Sequence, residues 1–185
     1  MDGACDLPNL LRIWHDPGRK SSLGARSMVK IDSIDRRILE ELQQDAARPI
    51  EQIASRVGLS QNPCWRRIKR LEAVGVIQRR VAIVDAARLG VGLTVFVSIR
   101  TNQHNEQWLE RFASGVRKIP EVVELYRMSG DTDYLLKVLA RDVADYDRIY
   151  KRLIRVAELH DVSSSFAMEQ IKYTTEVPLT GLEEQ

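Results

Sequence analysis

Between Pro49 and Arg80 the chain reads PIEQIASRVGLSQNPCWRRIKRLEAVGVIQRR, and no other stretch restricts the fold as tightly. Pro49 suits a helix start, where its missing N–H costs nothing, and Ile50, Ile53, Ala54 and Val57 then share one helical face. Gly58 permits the left-handed backbone that ends such a helix. Leu59 follows as an apolar plug, Ser60 is placed to cap a further helix, and Pro63 still lies within its tolerated first turn. In that helix Cys64, Ile68 and Leu71 repeat at i, i+4, i+7, with Trp65 widening the stripe. Arg66, Arg67, Lys69 and Arg70 are left to point largely away from the core, and Gly75 closes the element. A short amphipathic helix, a glycine turn and a second helix with a basic outer face describe a helix-turn-helix whose second helix enters DNA.

Charge supports a polyanion partner. The 185 residues carry a net charge of only +2, but residues 30–81 hold eleven basic side chains against seven acidic ones, whereas residues 82–185 are net negative. Positive charge concentrated on one short element is the footprint of a polyanion, and with the helix-turn-helix pattern the expected partner is double-stranded DNA. Ser60, Gln61 and Asn62 sit at the helix N-terminus, the end that approaches base edges in this motif, and Gln and Asn pair bidentately with adenine. Ser60, Gln61, Asn62, Arg66, Arg67, Lys69 and Arg70 are therefore the expected DNA contacts. A basic helix is more often only a solvated face. Against that stand the adjacent like charges, the scarcity of neighbouring carboxylates and the length of the preceding helix and turn.

The flanking sequence completes the organisation. Residues 1–27 show no sustained period and read as a disordered tail or an upstream extension, with Met28 opening the first patterned segment. Asp32 is placed to cap a helix whose apolar face is Ile34, Ile38, Leu39 and Leu42, with Asp35, Arg36, Glu40 and Glu41 opposite. Val76 to Val84 has strand character, which suggests a winged variant and a DNA-binding domain over residues 28–81. Residues 82–92, with two glycines, read as a linker.

From residue 93 the pattern changes. Leu93 to Thr101 alternates as a strand, and Trp108, Leu109, Phe112, Val116 and Ile119 are spaced as a helix. Val122 to Met128 and Asp133 to Ala140 are strands joined by a Ser-Gly-Asp-Thr turn. Val143, Tyr146, Ile149, Tyr150 and Leu153 mark another helix, and Val162 to Tyr173 is a last extended segment. The order β-α-β-β-α-β predicts a ferredoxin-like domain over residues 93–179 with a short tail at 180–185, so the fold class is α+β. Its helices cover one sheet face, and a second copy of the chain is expected on the other.

Other chemistries find little support. Cys5 and Cys64, and His15, His104 and His160, are scattered, so neither a disulfide framework nor a metal site is expected, and no cofactor is implied. No apolar run approaches the ~18 residues of a membrane span, and a reducing cytoplasmic home fits best. Asp131, Asp133 and Ser163 to Ser165 lack a sequence-placed His or Lys to work with, so the chain is not read as an enzyme. Cys64, beside arginines that lower a thiol pKa, has a redox reading, but its place on the apolar stripe favours an inert core cysteine.

Ile31 to Leu39, Gly58-Leu59-Ser60, Pro63 to Glu72, Gly75-Val76-Ile77 and Gly130 to Leu136 together resemble the Lrp/AsnC family of bacterial transcription regulators, in that family's order and spacing. The likeness spans about residues 28–179. Pro63-Cys64-Trp65 and Ser164 to Thr175 are similar in particular to a cysteine-responsive branch. The resemblance implies a ligand-sensing second domain that dimerises through its sheets and assembles further, commonly to octamers. It also implies an amino acid effector bound between dimers, at Met128, Ser129, Gly130, Asp131, Asp133 and Tyr134 with Ser165, Phe166 and Ala167 of the last strand. Asp133 can accept from the effector ammonium, and N–H groups of the glycine turn can hold its carboxylate. From the residues alone, ordinary hairpin chemistry explains Asp131 and Asp133 as well. Cysteine is the first effector expected and branched-chain amino acids the second. An effector-independent protein that wraps DNA is the alternative.

Overall fold

The computed structural model describes residues 29–103 and 105–180. Expectations for residues 1–28, for His104 and for residues 181–185 lie outside the described residues. The chain forms two compact units, one ending at Arg80 and taking up the chain again from Thr175, the other running from Val81 to Thr174.

The first unit holds α1 (Ser33–Gln44), α2 (Ile50–Val57) and α3 (Gln61–Ala73). Asp32 caps α1 in a reciprocal box, accepting from the Asp35 N–H at 2.7 Å while the Asp35 carboxylate accepts from the Asp32 N–H at 3.2 Å. Pro49 is the N-cap of α2, and Gly58 ends that helix at φ 74°, in the left-handed region. Ile38, Leu42, Ile53, Val57, Ile68 and Leu71 close the core around Cys64. Ser60 stands at the α3 N-cap, but its hydroxyl makes no capping bond.

Two expectations change in this unit. Val76 to Val84 contains no strand: Val76 and Ile77 pack on the helical core, while Val81, Ile83 and Val84 are each more than 60% exposed. β-branched residues favour a strand only where a partner strand exists, and none of the described residues supplies one here. The chain beyond Thr174 leaves the sheet unit, whereas the sheet domain was expected to run to 179. The Gln43 amide brackets Val177, donating to its carbonyl at 3.2 Å and accepting from its N–H at 2.6 Å, and Leu179 packs on the helical core.

The second unit is β1 (Leu93–Arg100), α4 (Glu106–Val116), β2 (Val122–Arg127), β3 (Tyr134–Ala140), α5 (Val143–Leu153) and β4 (Asp161–Phe166). The strands pair antiparallel in the order β2-β3-β1-β4, the ferredoxin-like arrangement. Val95, Val97 and Ile99 alternate inward opposite Tyr134, Leu136 and Val138, and Phe112, Val116, Ile149 and Leu153 cover them from the two helices. The opposite sheet face carries Phe96 and Tyr126, 39% and 50% exposed, with Leu135, Lys137 and Leu139 half-buried between them. β4 stops at Phe166 instead of running to Tyr173, and Met168 and Ile171 are almost fully exposed beyond it.

Candidate DNA-facing helix and effector turn

The basic face of α3 divides in two. Arg67 reaches back to the start of α1, where its Nη1 lies 2.5 Å from Asp32 Oδ2 and 2.9 Å from Asp35 Oδ1. Arg70 pairs with the other Asp35 oxygen. The Asp35 carboxylate, with a side chain 1% exposed, thus accepts from two guanidinium groups and from the Asp32 N–H. A buried carboxylate is tolerable when its lone pairs are filled in this way. Burial pushes the Asp32 carboxyl up, but the Asp35 N–H and Arg67 outweigh it and leave it below its ordinary value. The Arg67 pKa is raised by hydrogen bonds to Asp32 and Asp35.

Periodicity had put Asp35 on the solvent face of α1 and Arg67 and Arg70 on that of α3. Packing brings those two faces together, and the carboxylates missing from α3 come from α1. Arg67 and Arg70 therefore hold α3 against α1. Lys69 pairs with Glu72 at 2.7 Å, and Arg80 meets the same carboxylate at 3.3 Å. Arg66 is exposed and in no ion pair among the described residues. Ser60, Gln61 and Asn62 are exposed at the helix start.

Trp65 does not widen the buried stripe; it is 48% exposed. Cys64 is fully buried, and burial pushes its thiol pKa up. It is an inert core thiol.

The hairpin turn between β2 and β3 presents the expected effector residues unevenly. Met128, Ser129, Gly130 and Asp131 are exposed, Gly130 has φ 111°, and the Met128 N–H closes the hairpin on the Asp133 carbonyl at 2.8 Å. Ser129, Gly130 and Asp131 donate no backbone hydrogen bond among the described residues. Asp133 has an internal task, since its Oδ2 accepts from the Thr101 N–H at 2.8 Å. Tyr134 is buried against Trp108 and Phe112 with ring centroids 5.6 and 5.0 Å away, and burial pushes its phenol pKa up.

A shallow cavity of about 350 Å³ joins Met128, Asp133 and Tyr134 to Arg127, Gln103, Asn105 and Glu106. These last four escaped sequence reasoning. Arg127 was legible only as a residue near the end of a strand, and the other three lie about 25 residues from the turn. Among the described residues no cluster of side chains is suited to a metal ion.

Ser165, Phe166 and Ala167 are elsewhere. Phe166 pairs with Val95 and Tyr134 with Ile99, on opposite sides of β1 and roughly 13 Å apart along it. One chain does not bring the two halves of the expected effector site together.

Residues 31–72 match the AsnC-type helix-turn-helix domain, and residues 94–177 match the Lrp/AsnC ligand binding domain. The DNA-binding transcriptional activator DecR of Escherichia coli K12 is 47% identical over 150 residues, covering 80% of this chain and 99% of that protein. The chain belongs to the Lrp/AsnC family. The glutamate uptake regulatory protein of Zymomonas mobilis is equally similar, at 47% identity over 81% of this chain and 92% of its own length. A crystal structure of a transcriptional regulator from Neisseria meningitidis in complex with L-Met is 32% identical, has a TM-score of 0.78 and covers 83% of this chain and 99% of that one. Its relatives are transcriptional regulators, so the chain is a DNA-binding regulator with an amino acid ligand domain and not an enzyme. No described helix is long and apolar enough to cross a membrane.

Proposed function

We propose that the protein is a sequence-specific, cytoplasmic transcriptional regulator whose DNA affinity is set by a free amino acid. The observation that carries this reading is the outer surface of α3, where Ser60, Gln61, Asn62 and Arg66 remain open while Arg67 and Arg70 fix the helix in place. Gln61 and Asn62 read base edges, and Arg66 and Lys69 meet phosphates. The effector site is composite: Met128, Ser129, Gly130, Asp131, Asp133 and Tyr134 of one copy, with Ser165, Phe166 and Ala167 of another. Its support is their separation within one chain. Asp133 keeps one carboxylate oxygen for an ammonium, and Arg127 beside it offers a fork for a carboxylate.

Such a site requires a homodimer at least, and an octamer of stacked dimers fits the reading. The half-exposed sheet face around Phe96 and Tyr126 supplies the dimer contact. Cysteine is the first effector to test and branched-chain amino acids the second; methionine and glutamate join the panel through the relatives' names. DNA affinity and sedimentation are titrated against that panel. At least one amino acid should raise thermal stability and change DNA affinity together, because coupling is reciprocal. A flat response across the panel would leave an effector-independent DNA-wrapping protein as the better reading.

A further inference from the structure

Residues along α3 turn by about 100° each, so the axis through Cys64, Ile68 and Leu71 fixes where every other side chain stands. Arg67 and Arg70 lie on the flank turned to α1, where Asp32 and Asp35 hold them. Asn62 and Arg66 stand opposite the core. Gln61, Trp65 and Lys69 line the other flank at successive i+4 steps. The surface left open to a groove is therefore Gln61, Asn62, Trp65, Arg66 and Lys69, with one large apolar side chain at its centre.

Trp65 is 48% exposed, whereas Trp108 in the sheet unit is 6% exposed, stacks on Phe112 at 4.9 Å and donates its indole N–H to the Glu158 carbonyl at 3.0 Å. A lone exposed apolar residue needs no explanation in general. Trp65 differs by its place, one helical turn beyond Gln61 in the half of the recognition helix that reaches base edges. Gln, Asn, Arg and Lys read donors and acceptors, but none of them reads the C5-methyl of thymine, the one apolar group in the major groove.

We infer that Trp65 is a specificity-determining residue whose indole packs on a thymine C5-methyl next to the base read by Gln61. The inference rests on α3 being the helix that enters DNA. Thymine is then preferred over cytosine at that position for its methyl group, independently of hydrogen bonding.

The test uses the full chain and DNA selected by the wild-type protein from a random pool. Each thymine in the selected site is replaced singly by deoxyuridine, which removes the methyl group alone, and affinity is measured for wild type, Trp65→Ala and Trp65→Phe. One position should cost the wild type roughly 4-fold, the Ala variant nothing, and the Phe variant an intermediate amount. The slope of log affinity against log salt should be the same for all three, because no phosphate contact is removed. Equal deoxyuridine penalties in wild type and Trp65→Ala, or no penalty at any thymine, overturn the inference. Should Trp65→Ala fold poorly, the comparison is carried by Trp65→Phe, and a full wild-type penalty in that variant overturns the inference. Failure of the underlying reading looks different: the wild type selects no sequence, and Gln61→Ala and Asn62→Ala leave its DNA binding unchanged.

Discussion

Asp35 and Asp133 are both short acids beside a glycine-punctuated or capped segment, and both look available for a partner, yet the fold treats them differently. Asp35 is 1% exposed and has both oxygens committed, to Arg67, to Arg70 and to the Asp32 N–H. Asp133 is half-buried, commits one oxygen to the Thr101 N–H and lines the cavity beside the turn. The first has no capacity left for a ligand and serves the fold. The second serves the fold and, on the reading proposed above, keeps a lone-pair set for an effector.

The largest effect should come from removing the saturated acid. Asp35→Ala strips the inward partner from two arginines and one capping N–H. The arginines are partly exposed and can turn to water, which places the cost near the low end for a broken buried pair, about 3 kcal/mol. Calorimetry should show the helical unit melting earlier with the sheet unit unmoved. A single unshifted transition would mean that Asp35 is not the clamp.

On the proposed reading Arg67 and Arg66, neighbours in sequence, divide stability from affinity. Arg67→Ala should cost about 1–3 kcal/mol of helical-unit stability, the value of hydrogen bonds to a charged partner. Arg66→Ala should leave stability within about 0.5 kcal/mol. It should also lower the slope of log affinity against log salt by about 1. Denaturant melts and salt-dependent binding titrations on both variants measure this, and identical behaviour of the two would erase the division.

Asp133→Asn isolates the spare oxygen. An Asn carbonyl still accepts from the Thr101 N–H, so stability should change by less than about 1 kcal/mol. The charge for an ammonium is lost, and effector affinity should fall about tenfold, as expected for a charge-assisted bond. Calorimetric titration with the active amino acid checks it, and unchanged affinity would return Asp133 to hairpin chemistry alone.

Much of this was legible from residue order. The three helices of the first unit, Gly58 as a stop, and the β-α-β-β-α-β order follow from local period and turn chemistry, which do not depend on distant contacts. What escaped depends on which surfaces meet. Asp35 sits on the polar face of an amphipathic pattern, and its burial arises because α3 lays Arg67 and Arg70 across it. Trp65 looked like core because it adjoins Cys64, but one residue along a helix is a large turn away from the core axis. Val76 to Val84 has the composition of a strand without a partner, and composition cannot supply one. The turn and β4 share a role by resemblance, yet register places them on opposite sides of β1.

Acid exposes the smallest difference between the two units. In the sheet unit, hydrogen bonds from the Arg141 side chain and N–H, with Arg148 nearby, hold Asp145 down to about 2. In the helical unit Asp32 is also below its ordinary value. A carboxyl with a depressed folded pKa contributes stability that is fully present above its ordinary value of 3.8 and is lost as pH falls through the folded value. For Asp145 that window runs from 3.8 down to about 2. A carboxyl-carbon NMR titration should give Asp145 a midpoint near 2 that returns toward 3.8 in Arg141→Ala. Asp32 should move up in the same way when Arg67, and not Arg141, is replaced. A wild-type Asp145 midpoint at the ordinary value would show the Arg141 contact to be too weak in solution to hold the carboxylate. A shift of Asp32 on replacing Arg141 would show that the two acids do not titrate as independent local clamps.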